Sequence, residues 1–263
     1  MCLVIAPVKI EPEFAAVLAA ERLIDYYGIS APEQIKLEEI AMDRGVFVHK
    51  GKLSGMDGFL LRKGSRGFIR VRESIASIGQ RRFVIGHELG HWELHAGISQ
   101  AWLCTSTDIH DYGGSDVELQ ANAFSSALLM PPDLFRPRCT VGLSFQVIQK
   151  LALEFRTSLM ASALRFVHFS NEDCYVVFSQ DDKVKWFRRS PRGSEQFIWP
   201  GSAIDDGSFA YSASFDDEPS PEPAEVPVGA WFPKLKHSTG IELYEQSVVL
   251  TEDGLVMSLL ILV

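Results

Sequence analysis

Two histidines and a glutamate stand at a fixed spacing in the segment His87-Glu88-Leu89-Gly90-His91. Side chains four residues apart lie on one face of a helix, so both imidazoles can bind the same metal ion. Glu88 would lie close to that ion without being placed to ligate it. Two imidazoles that hold Zn²⁺ beside a carboxylate that acts as general base are typical of zinc hydrolases. A motif this short also arises by chance on amphipathic helices, so the rest of the chain must decide.

His95 continues the four-residue spacing, but helix geometry disfavours it as a ligand of the same ion. Eight residues of helix rise about 12 Å, whereas a Zn–N bond is about 2 Å long. The helix is predicted to end after His95, at Ala96-Gly97. We therefore interpret His95 as a neighbour of the metal ligands or as a packed histidine.

A second predicted helix, 116–131, offers a better third ligand. Ser115 is placed to cap its start and Pro131 limits its end. Its apolar stripe consists of Val117, Ala121, Phe124 and Leu128. Glu118 and Asn122 share another face, one turn apart, from which a carboxylate can complete a His₂Glu site and leave a fourth position for water. The alternative is that Glu118 is an ordinary first-turn acid, favoured by the helix dipole.

The stretch 96–114, between the two helices, is predicted to be a loop close to the metal. His110 or Tyr112 could stabilise the oxyanion of a tetrahedral intermediate. Cys104 could in principle occupy the open metal position and silence the site. For each of these residues, an ordinary place in a surface loop is the alternative.

The two sequence blocks together resemble the ImmA/IrrE metallopeptidase family. The first block is 87–91, and the second begins with Glu118 and continues through Ala121, Asn122, Phe124 and Leu128-Leu129-Met130-Pro131. The resemblance covers roughly 45–168, and the pair of blocks is far more specific than the first block alone.

This resemblance implies a fold, a cofactor and a substrate. It implies a zincin-like core in which His87, His91 and Glu118 bind zinc and Glu88 is the catalytic residue. It also implies that the substrate is a helix-turn-helix repressor, whose cleavage releases stress-response or mobile-element genes.

Composition and charge narrow the classes of function. With 263 residues, 46% of them hydrophobic and 22% charged, the chain is long enough for one large or two modest globular domains. The net charge of -9 disfavours binding to nucleic acid. No signal peptide and no apolar run of membrane length is apparent, which predicts a cytoplasmic protein. We expect no disulfide among the scattered Cys2, Cys104, Cys139 and Cys174.

Hydrophobic periodicity predicts an α+β fold in three parts. A zincin-like metallopeptidase domain, 1–139, would contain helices at 11–27 and 31–44 and strands at 46–49, 58–62 and 67–71. A helix-turn-helix-like segment, 140–170, would follow. Its second helix offers Ser162, Arg165 and His168 as polar residues for a DNA groove, and packing against the rest of the protein is the alternative role.

The C-terminal part, 171–263, is predicted to be a small, mainly antiparallel domain with a sensory or substrate-docking role. Its strands are expected at 174–179, 184–188, 230–232, 241–250 and 255–263, and 205–227 reads as a mobile loop. A basic cluster consists of Lys183, Lys185, Arg188, Arg189 and Arg192. Some members of the family carry a GAF-like sensory domain in this region, and the present stretch is short for that fold.

Two hypotheses of different class follow. The first is a site-specific zinc endopeptidase that cleaves a helix-turn-helix repressor. The second is a non-proteolytic regulatory protein that binds DNA or a repressor through its helix-turn-helix-like or C-terminal part. The complete set of His87, Glu88, His91 and Glu118 favours the first. The sequence does not indicate the oligomeric state.

Overall fold

The structure is a computed structural model that describes residues 12–105, 115–140, 142–191, 193, 196–213, 222–251 and 254–263. It has the α+β fold expected from the sequence, with two sheets. The chain divides into two compact units. The first comprises Met1–Leu134 and Glu154–Ser158, and the second comprises Phe135–Leu153 and Leu159–Val263.

The first unit contains four helices of the described chain and a four-stranded sheet. The helices are α1 (Pro12–Tyr26), α2 (Leu37–Asp43), α3 (Ile78–Leu94) and α4 (Asp116–Leu129). The strands are β1 (Val46–Gly51), β2 (Gly58–Lys63), β3 (Arg66–Arg72) and β4 (Ala101–Cys104). The sheet order is β1-β3-β2-β4, with β1 parallel to β3 and the other neighbours antiparallel.

The core of this unit lies between the sheet and α3, and between α3, α4 and α1. Its fully buried side chains include Leu60, Ile69, Leu89, Phe124 and Leu128. Leu60 and Ile69 are opposite each other in the β2–β3 pair and project from the same face of the sheet. The predicted hairpin of β2 and β3 and the apolar stripe of α4 are therefore confirmed.

The predicted helix 31–44 is wrong as a single element. A 3₁₀ turn at Pro32–Gln34 is separated from α2 by Ile35 and Lys36, whose ψ angles of 84° and 85° are not helical. Burial of Ile35 and Leu37, at 2% and 0% exposure, explains the break, because a continuous helix would not direct both side chains into the same core.

The predicted loop 96–114 is also wrong in part, because it contains β4. Four residues pair with β2, with Gly58 opposite Cys104 and Leu60 opposite Trp102. A strand this short has little periodicity of its own and is stabilised by its partner strand. His110 and Tyr112 lie outside the described residues.

The second unit is built on a five-stranded antiparallel sheet. Its strands are β5 (Asp173–Gln180), β6 (Lys183–Arg189), β7 (Ala224–Val226), β8 (Leu243–Val249) and β9 (Val256–Leu262), in the order β6-β5-β9-β8-β7. Its helices are α6 (Phe145–Phe155), α7 (Leu159–Phe169) and α8 (Phe209–Ala213). The last two residues of α6 belong to the first unit, as do the first three residues of the short helix α5 (Pro132–Phe135).

Two predictions for the second unit are wrong. The expected strand 230–232 is a 3₁₀ turn at Val228–Ala230 followed by Trp231, which is buried against the sheet core. The expected mobile loop 205–227 contains α8 and β7, and its residues 214–221 lie outside the described chain. In both places the backbone conformation is set by packing of apolar side chains on the sheet rather than by local periodicity.

The two-helix segment predicted at 140–170 is present as α6 and α7. The segment Glu154–Ser158, which contains the end of α6 and the link to α7, belongs to the first unit, and Arg156 in the link has a φ of 54°. Of the three polar residues proposed to contact DNA, Ser162 and Arg165 are buried and His168 is exposed.

The structure describes three of the four cysteines. Cys104, Cys139 and Cys174 are buried and form no disulfide in the described chain, and Cys2 lies outside it. None of the helices placed by the structure is both long enough and apolar enough to span a bilayer.

Candidate metal centre

Helix α3 presents both histidines of the motif to the interior of the first unit. Its first turn is capped by Ser77, whose hydroxyl accepts a hydrogen bond from the backbone N–H of Gln80 at 3.2 Å. It continues without a break to Leu94, so His87 and His91 lie on one face. Both side chains are fully buried. Full burial is uncommon for a histidine without a structural or metal-binding role.

Two glycines set how closely α4 approaches α3. A Cβ atom at Gly86 would lie 2.5 Å from the Ser125 hydroxyl, and one at Gly90 would lie 3.1 Å from the Ala121 Cα. The helices therefore pack almost backbone to backbone. This approach brings Glu118, one turn before Asn122 on α4, next to the histidines. In the sequence, this close approach of the two helices is indicated by Gly86 and Gly90, each of which directly precedes a histidine.

The nitrogen and oxygen atoms of three side chains converge. His87 Nε2 and His91 Nε2 are 3.1 Å apart, and Glu118 Oε2 is 3.1 Å from the first and 3.4 Å from the second. Tetrahedral zinc with bonds of about 2.05 Å places neighbouring ligand atoms about 3.3 Å apart. The three observed separations therefore match those of a tetrahedral zinc site.

The partner of His87 leaves the correct nitrogen available for metal. Asn122 Oδ1 lies 2.8 Å from His87 Nδ1 and can only accept a hydrogen bond. His87 Nδ1 therefore carries the proton, and in the neutral ring the lone pair is on Nε2, which faces Glu118. Asn122 thus orients the ligand in the way that outer partners of zinc-bound histidines do.

A relay of hydrogen bonds likewise leaves Nε2 of His91 as the nitrogen that is available to a metal. Gln120 Oε1 accepts from His95 Nε2 at 2.8 Å, so the neutral His95 ring accepts at Nδ1. His91 Nδ1 lies 2.9 Å from that atom and donates to it. The lone pair of His91 is therefore on Nε2, beside Glu118. The structure therefore places His95, which is 2% exposed, against Nδ1 of His91, the ring nitrogen that does not face Glu118.

The charges of the three side chains also suit a cation. Burial alone would raise the pKa of Glu118, but hydrogen bonds with His87 and His91 outweigh it and hold the pKa at about 2. Burial lowers the pKa of His91 to about 4. Burial opposes a charge on His87 too, yet the hydrogen bond with Glu118 raises its pKa. A metal ion would displace the proton of His87, as deprotonated ligands require.

Glu88 is fully buried beside this cluster, where desolvation raises the pKa of its carboxyl to about 7 although His87 and the Cys104 thiol oppose the rise. A pKa near the working pH suits a general base. The position depends on Gly58 of β2, because a Cβ there would lie 2.2 Å from Glu88 Oε1. In the sequence, only the glycine at position 58 could have indicated that β2 approaches Glu88 this closely.

Strand β4 covers the cluster from the sheet side. Trp102 stacks on the imidazole of His91 with ring centroids 4.1 Å apart and planes inclined by 14°. Cys104, two residues later on the same face, is 1% exposed. Its Sγ and the ligand atoms of His87, His91 and Glu118 all lie within 4.8 Å of one another. The strand was missed from the sequence, and so was the packing of Trp102.

Comparison with known proteins agrees with this geometry. The model of the Peptidase_M78 family, described as the IrrE N-terminal-like domain, matches residues 41–167. This match contains both halves of the cluster, His87 to His91 and Glu118.

Residues 41–167 are a domain of the ImmA/IrrE family.

The cluster of His87, His91 and Glu118 thus lies within a domain of a metallopeptidase family. Among solved structures, a Mycobacterium tuberculosis transcriptional regulator is similar to this chain, with a TM-score of 0.59 and 16% sequence identity. The similarity covers 94% of this chain and 87% of that one, and at this identity it concerns the fold. A search of curated proteins found no match.

Proposed function

We propose that this ImmA/IrrE-family protein is a zinc-dependent endopeptidase that cleaves a helix-turn-helix transcriptional repressor at a specific site. The observation that carries the proposal is the cluster of His87, His91 and Glu118, in which every ligand atom is oriented for one tetrahedral ion. In this proposal these three residues hold Zn²⁺, and Glu88 lies beside them as the general base.

The chain supplies the proton transfers of peptide hydrolysis. When bound, zinc supplies Lewis acidity towards water and the scissile carbonyl. Glu88 accepts the proton of the attacking water and then delivers it to the leaving amine. Burial raises the pKa of Glu88 to about 7, so that both steps are accessible near neutral pH.

The shape of the site favours an extended peptide as substrate. β4 is an edge strand of its sheet and carries Trp102 over the proposed ligands. Edge strands bind extended segments by adding them to the sheet. A helix-turn-helix repressor would have to present its cleaved segment in this extended form, which restricts cleavage to exposed linkers. The family relationship supports a repressor as substrate, and so does the fold shared with the Mycobacterium tuberculosis transcriptional regulator.

The proposed setting is the cytoplasm, where repressors bind DNA. Cleavage of the repressor would then release stress-response or mobile-element genes. Docking of the repressor is proposed to involve the second unit, whose β6 strand exposes Lys183, Lys185 and Arg188.

The test mixes wild type or Glu88→Gln, each loaded with one equivalent of zinc, with a helix-turn-helix repressor from the same organism. Wild type should convert the repressor to two fragments, and Glu88→Gln should not, because an amide cannot accept the proton of water at neutral pH. Glu73→Gln, an exposed acid in the same unit, serves as the matched control and should cleave like wild type. Equal cleavage by Glu88→Gln would remove Glu88 as the base.

A non-proteolytic regulator that binds DNA or a repressor is the second candidate. The α6–α7 pair and the regulator fold favour it. Burial of Ser162 and Arg165 weighs against a DNA role for α7, since a recognition helix needs its polar side chains exposed. Zinc-loaded wild type that binds the repressor tightly and leaves it intact would favour this second function.

A further inference from the structure

Cys104 lies next to the three proposed metal ligands. Its Sγ lies within 4.8 Å of the ligand atoms of His87, His91 and Glu118, which themselves are 3.1 to 3.4 Å apart. In tetrahedral zinc, a sulfur at about 2.3 Å and a nitrogen at about 2.05 Å are about 3.6 Å apart. The distance from the thiol sulfur to each ligand atom therefore needs to shorten by no more than about 1.2 Å for the thiol to complete the coordination shell of the same ion.

The backbone directs this thiol inward. Cys104 is opposite Gly58 in the β2–β4 pair, and Gly58 has no side chain to separate β4 from Glu88. Alternation along the strand puts Cys104 on the same face as Trp102, whose ring is fixed on His91. Leu103, between them, is 61% exposed and marks the opposite face. No other cysteine of the described residues joins a group of metal-binding side chains.

We propose that Cys104 is a fourth protein ligand of the zinc ion, so that the resting site is a closed His₂GluCys centre. The inference rests on the zinc site of the proposed function and adds its regulation. Three protein ligands leave a position for water, whereas four close the site, as in structural zinc centres. Binding of the thiol as thiolate releases one proton to solvent and excludes water from the position that hydrolysis requires.

Activation then consists of release of Cys104. The residue ends a four-residue edge strand that pairs with β2. Withdrawal of its sulfur therefore requires only a local change at the end of β4. Addition of an extended substrate segment to this edge would act on the same four residues, which couples substrate binding to opening of the site.

Cobalt substitution tests this directly, because Co²⁺ bound by thiolate absorbs in the near ultraviolet by charge transfer, and tetrahedral Co²⁺ absorbs in the visible whatever its ligands. Wild type with one equivalent of Co²⁺ should show both absorptions. Cys104→Ser should keep the visible bands and lose the near-ultraviolet band. Cys139→Ser, which changes a buried cysteine of the second unit, should match wild type.

A second measurement is zinc X-ray absorption, which uses the wild-type protein alone. Zinc X-ray absorption of wild type should contain one sulfur neighbour at about 2.3 Å beside nitrogen and oxygen at about 2.0 to 2.2 Å. A third measurement is competition with a chelator. Cys104→Ser should bind zinc more weakly than Cys139→Ser by more than the factor of about 10 to 100 that is typical for loss of an outer hydrogen-bonding partner.

The outcomes separate this inference from the proposed function. Visible cobalt bands without the near-ultraviolet band in wild type, together with only nitrogen and oxygen around zinc, would overturn the role of Cys104 and leave the His₂Glu site intact. Failure of wild type to bind either metal would overturn the zinc site, and the inference with it.

Discussion

At the scale of single residues, each proposed zinc ligand has its second polar atom already engaged. Asn122 occupies Nδ1 of His87, and the Gln120–His95 relay occupies Nδ1 of His91. These partners fix the tautomers, so both Nε2 atoms face Glu118 before any metal arrives. The site is therefore preorganised for a cation, which reduces the cost of ordering the ligands on binding.

The first prediction distinguishes ligands from their neighbours. Glu118→Ala should lose most of its zinc, because it removes one of the proposed ligands, which costs more affinity than the loss of an outer hydrogen-bonding partner. His95→Ala should still bind one zinc per chain, with affinity lowered about 10- to 100-fold through loss of the relay. Metal analysis of both purified proteins checks this. If His95→Ala emerges without zinc and Glu118→Ala retains it, the ligand assignment is wrong.

A second prediction concerns the partner of His87. Asn122→Leu should weaken zinc binding about 10- to 100-fold, because Nδ1 loses its acceptor and the ring is free to turn or change tautomer. Asn122→Asp keeps an acceptor oxygen at the same place and should bind zinc at least as well as wild type. Chelator competition measures both affinities. Equal weakening in the two variants would show that the side chain acts by packing rather than by its hydrogen bond.

At the scale of elements, three glycines make the site possible. Gly86 and Gly90 allow α4 to approach α3, and Gly58 allows β2 to lie against Glu88. None of the three has a positive φ, so each is required for space rather than for backbone conformation. The catalytic geometry thus depends on positions that carry no chemistry themselves.

The third prediction tests this with Gly58→Ala. The new methyl group would lie 2.2 Å from Glu88 Oε1 and 2.8 Å from Val84 Cγ1, so Glu88 or the strand must move. Repressor cleavage should fall at least about 100-fold, as expected for a displacement of about 1 Å at a catalytic group. Zinc content should stay near that of wild type, because His87, His91 and Glu118 come from α3 and α4 and do not depend on β2.

Gly97→Ala is the control for the third prediction, since a Cβ at Gly97 meets nothing within 4 Å. It should cleave the repressor at the wild-type rate. Wild-type cleavage by Gly58→Ala as well would mean that the placement of Glu88 tolerates the shift and that our account of β2 is wrong.

At the scale of the whole molecule, each of the two units contains a buried carboxylate with a different purpose. Glu88 in the first lies next to the proposed metal ligands, whereas Glu245 in the second is saturated by protein donors. Its oxygens accept from Trp231 Nε1, Ala210 N and Ser247 Oγ, each at 2.7 Å. Burial raises the pKa of Glu245 despite these donors. The residue joins β8 to α8 and to the turn that carries Trp231.

The fourth prediction is that Glu245→Gln destabilises the second unit by about 1–3 kcal/mol, because the amide must point an N–H group at one of three donors. The midpoint of urea unfolding, followed by circular dichroism, should fall accordingly. Glu242→Gln, at an exposed position of the same unit, should change stability by no more than about 0.5 kcal/mol. Equal midpoints for all three proteins would show that Glu245 does not hold these elements together.

The sequence by itself determined the fold class, most helices and strands, and the family. Periodicity is strong in α1, α3, α4 and the β2–β3 hairpin, because each buries one regular face. Spacing alone placed His87 and His91 on one side of a helix and disfavoured His95 as a ligand of the same metal ion. The choice of Glu118 combined helical spacing with the family resemblance.

Only the tertiary structure decided what surrounds these residues. The short strand β4, the stacking of Trp102 and the arrival of Cys104 depend on pairing with β2, which is distant in sequence and has no local signature. The break at Ile35 and the 3₁₀ turn before Trp231 likewise follow from burial in each unit's core. Local periodicity reports the buried face of one element, whereas the contents of a site depend on which elements meet.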